Sequence, residues 1–192
     1  AGLDSPTSGR VLLDGEPVTG PGADRGMVFQ SYTLFPWLTV RRNIEYGLRR
    51  KGMPQAERSR IVDYYLNEVG LTAFADHYPK QLSGGMQQRL QIARVLVSEP
   101  RLVFMDEPTG GLDVSVQAKL LDLLRSLVRE LNIAAVIVTH DLAVARLLTD
   151  RLMVMKDGAG RTVTLYIAGA SIDAVIATGA TNCTRETPRF PK

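Results

Sequence analysis

Two rhythms of apolar residues alternate along the chain. Short, wholly apolar runs occur at Gly26-Met27-Val28-Phe29, Leu102-Val103-Phe104-Met105, Ile133 to Val138 and Leu152 to Met155. Runs of this length without polar interruption predict strands buried on both faces. Between them the apolar spacing lengthens to that of a helix. Ile61, Tyr65 and Val69 stand four residues apart with Val62 and Leu66 beside them, and Val116, Leu120, Leu124, Leu127 and Leu131 line one face of Val114 to Leu131. Caps and breakers bound these helices. Thr39 caps a helix to about Arg50 that Gly52 ends, Pro54 suits the first turn of the next, and Gly70 closes it. Ser83 begins a helix to about Val97, and Asp141 caps one through Leu148. Near the start, Arg10 to Leu13, the turn Asp14-Gly15 and Val18 predict a small hairpin.

Strands that alternate with helices imply right-handed crossovers and a parallel α/β sheet. Such sheets gather their chemistry at the carboxyl ends of the strands. Asp106, Glu107 and His140 follow apolar runs directly, so Asp106 and His140 are expected at adjacent strand ends on one edge. From about Val40 to Pro79 there are two amphipathic helices and no strand signal, which predicts a helical segment separate from the sheet. After Asp157 the composition shifts. Residues 158–192 are rich in Ala, Thr and Gly and carry no motif, although RTVTLYIAGASIDAVIATG would suit a strand and a helix. The expected organisation is therefore one domain over 1–157, with a helical part at about 40–80 and an unassigned tail.

Composition narrows the classes. At 192 residues with 45% hydrophobic and 22% charged residues, the chain can bury one core. A single cysteine, Cys183, excludes an internal disulfide and fits a reducing compartment. The net charge of +3 is mild, and its one dense basic cluster, Arg49-Arg50-Lys51, reads as a solvated helix end; no nucleic-acid partner is expected. No stretch reaches the roughly 18 apolar residues of a membrane span. The opening AGLDSPTSGR has neither the basic start nor the apolar core of a signal peptide, and it lacks an initiator Met. These features predict a cytoplasmic protein whose natural start lies upstream of Ala1.

Two constellations carry chemistry. In Asp106-Glu107, a carboxylate at a strand end suits Mg²⁺, and its neighbour suits activation of a water. The pair on its own is equally a strand running into a solvated turn. In Leu82-Ser83-Gly84-Gly85-Met86-Gln87-Gln88-Arg89, Ser83 suits a helix N-cap, and the two glycines leave the first backbone N–H groups open to an anion at the positive end of the helix dipole. His77 belongs to neither and reads as a surface loop residue.

Taken in order, these segments resemble the nucleotide-binding domain of the ATP-binding cassette (ABC) family. LSGGMQQR resembles the signature motif, and LVFMDEPTGGLD resembles Walker B and the D-loop ending at Asp113. VTHD resembles the switch-histidine segment with His140, and MVFQSYTLFPWLTV resembles the Q-loop segment with Gln30. The intervals from Ser83 to Asp106 and from Asp106 to His140 are also the family's. The resemblance runs from Ala1 to about Lys156 and implies a P-loop NTPase-like fold with an inserted helical subdomain, binding ATP and Mg²⁺. It implies Gln30 and Asp106 at Mg²⁺, Glu107 as general base and His140 on the γ-phosphate. It also implies that Ser83, Gly84, Gly85 and Gln87 meet the γ-phosphate held by a second ATPase subunit, with Asp113 crossing that interface. Transmembrane permease subunits would be the other partner, holding the protein to the inner face of the cell membrane.

The pattern departs from the family in three places. No G-x-x-x-x-G-K-[ST] phosphate loop occurs in the chain, nor the family's adenine-stacking aromatic loop, and AGLDSPTSG resembles the segment that follows the phosphate-loop helix. A missing first strand would leave its sheet neighbours with open edges. SYTLFPWLTVRRNIEYGLRRKGMP resembles importers of nitrate, sulfonates and taurine, whereas TGGLDVSVQAKLLDLLRSLVRELNIAAVIVTHDLAVARLLTDRLMVMK resembles phosphonate carbon–phosphorus lyase ATPases and oligopeptide-importer relatives. The family's closing strand pair and helix are not recognisable after Asp157. Three functions follow from the resemblance: an importer ATPase subunit, an accessory ATPase of a soluble phosphonate-metabolism complex, or a non-catalytic truncated scaffold.

Overall fold

The structure is a computed structural model that describes residues 1–6, 9–149, 151–156 and 162–168. The chain opens with β1 (Leu12–Leu13) and β2 (Glu16–Pro17), paired antiparallel. Asp14 and Gly15 between them both have positive φ, 50° and 84°, as the expected two-residue turn requires. Leu13 is buried against Leu102, Ala134 and Val136, so the hairpin covers one face of the main sheet.

That sheet has five strands. β3 (Arg25–Val28), β4 (Leu102–Asp106) and β5 (Ala134–Thr139) run parallel side by side. β6 (Arg151–Lys156) and β7 (Thr162–Ala168) complete it in the order β3-β4-β5-β7-β6. The apolar run at Leu152–Met155 therefore does not lie next to β5. β7 enters between them, antiparallel to both. The open edge expected from a missing strand is likewise not found at β5, which is hydrogen-bonded to β4 on one side and to β7 on the other. Ala134 to Ile137 are all buried, and a strand covered on both faces leaves its backbone no water to bond, so both edges need a strand.

The helices pack as their patterns predict. α1 (Val40–Arg50) buries Val40, Asn43, Ile44 and Leu48. Thr39 caps it, and Gly52 follows its end at φ 72°. α2 (Gln55–Glu68) buries Val62, Tyr65 and Leu66, and the Tyr65 hydroxyl donates to the Leu96 carbonyl over 3.1 Å. Short 3₁₀ turns at Thr72–Phe74 and Pro79–Gln81 lead on, and residues 40–81 contain no strand. α3 (Gly84–Leu96) buries Gln88, Leu90 to Ala93 and Leu96, a wider face than one-sided packing needs, because it sits between α1 and the sheet. α4 (Val114–Glu130) and α5 (Leu142–Leu148) close the crossovers. Ile44, Leu48, Leu66, Leu90, Ile92, Leu96 and Met105 join one core, each worth roughly 2 kcal/mol of burial. That core fixes α3 so that its first turn meets Tyr32, Leu112 and Val116. Arg49, Arg50 and Lys51 are exposed at the end of α1, as expected; Lys51 Nζ also donates to the Ser98 carbonyl over 2.8 Å.

Candidate functional site

Parallel pairing of β4 and β5 puts Asp106 opposite Val138, so both strands end on the same edge. The ladder continues one residue further, where Glu107 N–H donates to the Val138 carbonyl over 2.9 Å. Glu107 itself has a left-handed backbone, φ 45°, and turns the chain into Pro108-Thr109-Gly110, where Gly110 N–H donates to the Glu107 carbonyl over 2.9 Å. The turn aims the Glu107 carboxylate at the end of β5. Oε1 accepts from His140 N–H over 3.0 Å and lies 2.5 Å from His140 Nδ1, while Oε2 accepts from Thr139 Oγ1 over 3.4 Å. The hydrogen bond to Glu107, and then its negative charge, raise the His140 pKa above the ordinary imidazole value. The two side chains differ in exposure, 16% for Glu107 and 82% for His140, so the carboxylate is sheltered and the imidazole faces outward. Asp106 is half-buried, and its side chain makes no hydrogen bond or ion pair among the described residues.

Gln30 is exposed just past β3. Its Nε2 lies 3.8 Å from where a side-chain carbon on Gly110 would stand, next to the Glu107 backbone. Gln30, Glu107, Gly110 and His140 thus form one cluster at the ends of three parallel strands.

The signature residues form a second cluster. Ser83 Oγ accepts from Met86 N–H over 3.4 Å and caps α3. The glycines after it are needed for packing as well as for backbone access. A Cβ on Gly85 would stand 2.4 Å from Val116 Cγ1 at the start of α4, and one on Gly84 would stand 2.9 Å from the Tyr32 hydroxyl. Gln87 turns back, its Nε2 donating to the Leu82 carbonyl over 3.1 Å. Asp113 caps α4, accepting from Val116 N–H over 3.0 Å and from Ser115 Oγ over 2.7 Å, and these bonds lower its pKa. Tyr32 from the Gln30 loop and Leu112 before α4 both reach Gly84, so they join the two clusters. His77 is half-buried: its carbonyl accepts from Val40 N–H over 2.8 Å and its ring meets Phe74 edge-on, a structural contact at the head of α1.

Beyond Gln30 the chain forms an aromatic rim. Phe35 lies 4.5 Å from Tyr46 and 5.7 Å from Trp37 between ring centroids, and Trp37 is 71% exposed. The rim borders a cleft of about 320 Å³ lined by Arg25, Phe35, Tyr46, Arg94, Val95 and Pro100 among others. The Arg94 guanidinium lies 4.9 Å over the Phe35 ring, where burial lowers its pKa. The sequence pattern alone gave no role to Asn43 or Gln91, and it placed Val116 on an apolar helix face without its contact to Gly85. Asn43 did leave a signal, as an amide between the apolar positions Val40 and Ile44, and Gln91 another, as an amide between Leu90 and Ile92.

The residues present fit a phosphate-bound cation better than a caged one. Among the described residues no group of three or more His, Cys, Asp or Glu side chains comes together as a metal site. One strand-end carboxylate beside a glutamine suits Mg²⁺ that takes its other ligands from phosphate and water.

Comparison with known proteins agrees with this architecture. The ABC transporter family profile matches residues 1–110, more than half of the chain. A nitrate import ATP-binding protein of Synechocystis sp. is 46% identical over 172 residues, covering 88% of this chain and 65% of that protein. A taurine import ATP-binding protein of Roseobacter denitrificans is 43% identical over 161 residues, covering 84% of this chain and 60% of that protein. The chain thus spans about two thirds or less of the length of these relatives. A dimeric bacterial ABC transporter cassette superposes with a TM-score of 0.67 at 39% identity, over 76% of this chain and 68% of that one. A post-hydrolysis cassette bound to ADP and Pi gives a TM-score of 0.66 at 38% identity, with the same coverage. With the profile, the relatives and the strand-end cluster in agreement, the chain belongs to the ABC transporter family, in its ATP-binding cassette.

Proposed function

We propose that this chain is part of an ATP-binding and hydrolysing subunit of an importer, which powers uptake when two such subunits close on ATP. The observation that carries this reading is the pairing of Glu107 with His140 across the ends of β4 and β5, beside Gln30. Asp106 and Gln30 would hold Mg²⁺, which when bound neutralises charge on the β- and γ-phosphates. Glu107 would accept a proton from the attacking water. Its carboxylate is sheltered, pre-aimed by the left-handed turn and held by His140 N–H, so little reorganisation precedes proton transfer. His140, exposed beside it, would reach the γ-phosphate. Ser83 and the first N–H groups of α3 would face the nucleotide of the opposing subunit, with the dipole of a thirteen-residue helix behind them. Gln87 would have to release Leu82 to join them, and Asp113 would meet the second subunit only at the cost of its helix cap.

The aromatic rim supports a permease as the second partner. Phe35 and Tyr46 present apolar rings to a cleft with arginines in its wall, and Trp37 stands exposed beside Phe35, the form of site that takes an amphipathic helix. The relatives named for nitrate and taurine import favour an importer over a soluble complex. No helix among the described residues is long and apolar enough to cross a membrane, so attachment at the inner face of the cell membrane would come through that permease.

The sequence contains no G-x-x-x-x-G-K-[ST], so the donors that would cradle the β- and γ-phosphates are not supplied by these residues. Loss of one well-placed donor to a developing charge costs roughly 3 kcal/mol, about a hundredfold in rate. The purified chain is therefore expected to turn over ATP at background level, the same as Glu107→Gln. Robust turnover that Glu107→Gln abolishes would show that other residues do the work of a phosphate loop. Failure to associate with any importer permease would count against the importer reading.

A further inference from the structure

Gln91 is wholly buried on α3, between Leu90 and Ile92, where the pattern calls for an apolar side chain. An unbonded amide there would be costly, and an apolar residue would pack without that cost. Both ends of this amide are in fact used, and on a single target. Nε2 donates to the Phe29 carbonyl over 2.7 Å, and Oε1 accepts from Thr33 N–H over 2.8 Å. Those two backbone groups flank Gln30 on either side. One turn further along the same helix face, Arg94 donates to Thr33 Oγ1 over 2.9 Å and stacks on Phe35 at the wall of the cleft.

We propose that Gln91 is a positioning residue: it splices the turn 29–33 to α3 and thereby sets where the Gln30 carboxamide stands against the Glu107–Gly110 turn. A buried staple that only held helix to sheet would need one backbone partner anywhere on β3. Bonding both flanks of one exposed, chemically competent residue fixes that residue's position and orientation instead. Through Arg94 and Thr33 the same face of α3 touches Phe35, so a shift of the aromatic rim reaches Gln30 through rigid, bonded contacts. The functional weight of this splice rests on the reading of Gln30 as a site residue.

The test uses the full chain and no nucleotide, so it is independent of whether the chain hydrolyses ATP. Thr33 N–H exchange and the Gln30 side-chain amide resonances are followed by NMR in the unsubstituted chain, in Gln91→Met and in Gln91→Glu. Gln91→Met keeps length and loses both bonds. Thr33 N–H should exchange roughly tenfold faster, and the Gln30 side-chain amide should move toward free-glutamine values, while amides of Ile92 to Leu96 keep their protection. Gln91→Glu retains the acceptor, so Thr33 should stay protected while the Phe29 end is released. Unchanged Thr33 exchange and unchanged Gln30 resonances in Gln91→Met would overturn the proposal. So would a uniform loss of protection through α3 and β4 with Gln30 unmoved, which would make Gln91 a packing residue only. Should Gln91→Met not fold, the Gln30 resonance in Gln91→Glu decides: movement supports the splice and constancy overturns it.

Discussion

Replacing Asn43 with Leu should destabilise this protein and unfasten its aromatic rim before it disturbs the sheet. Asn43 is fully buried on α1, yet it makes four contacts to one loop. Its Oδ1 accepts from Phe35 N–H over 2.9 Å, and its Nδ2 donates to the carbonyls of Phe35 at 3.1 Å, Leu38 at 3.0 Å and Thr39 at 3.0 Å. Leu has almost the same shape and none of these bonds. Two amide hydrogens serve three carbonyls, so the real loss is about three bonds at a net ~1 kcal/mol each. Phe35 and Leu38 are only half-buried, so water recovers part of that and the full desolvation penalty is not reached. The expected destabilisation is about 2–3 kcal/mol. Trp37 is the single tryptophan and sits inside the pinned loop, so its fluorescence reports the loop while circular dichroism at 222 nm reports the helices. In urea the two probes should coincide for the unsubstituted chain. In Asn43→Leu the Trp37 transition should come first. A loss below about 0.5 kcal/mol with Trp37 emission unchanged would refute the reasoning, because it would mean that the loop is held by its rings and not by the amide.

Two further outcomes follow from local geometry. Gly85→Ala gains helix propensity but drives a methyl to 2.4 Å from Val116 Cγ1, so a net loss of about 1–3 kcal/mol is expected by urea unfolding, and Val116→Ala in the same chain should recover much of it. The His140 imidazole, followed by NMR, should titrate above the ordinary value of about 6.5 and fall back toward it in Glu107→Gln, since the carboxylate is the cause of the shift. Because the folded value is raised, the contribution of this pair to stability is complete below about 6.5 and is lost as pH climbs through the raised value; an unshifted His140 would contradict the contact.

Periodicity and punctuation determined the elements. Thr39, Ser83, Asp113 and Asp141 each cap the helix that follows, since a side-chain acceptor ahead of an apolar-periodic run acts within its own turn. The ends of β4 and β5 were legible for the same reason: an apolar run meeting Asp106-Glu107 or His140 marks where burial stops. Parallel pairing, implied by the crossovers, then set those ends side by side. Three matters lay beyond the chain's local order. The place of β7 between β5 and β6 was decided by the backbone demand of a strand buried on both faces, which any strand of suitable length can meet. The purpose of Gly85 was decided by Val116, thirty-one residues away, whose approach is set by how α3 and α4 pack. Asn43 and Gln91 show the same division between levels. Their polarity is visible in the sequence, but their partners are backbone groups of a loop, which carry no residue signature and become identifiable only once the core has fixed the helices that face it.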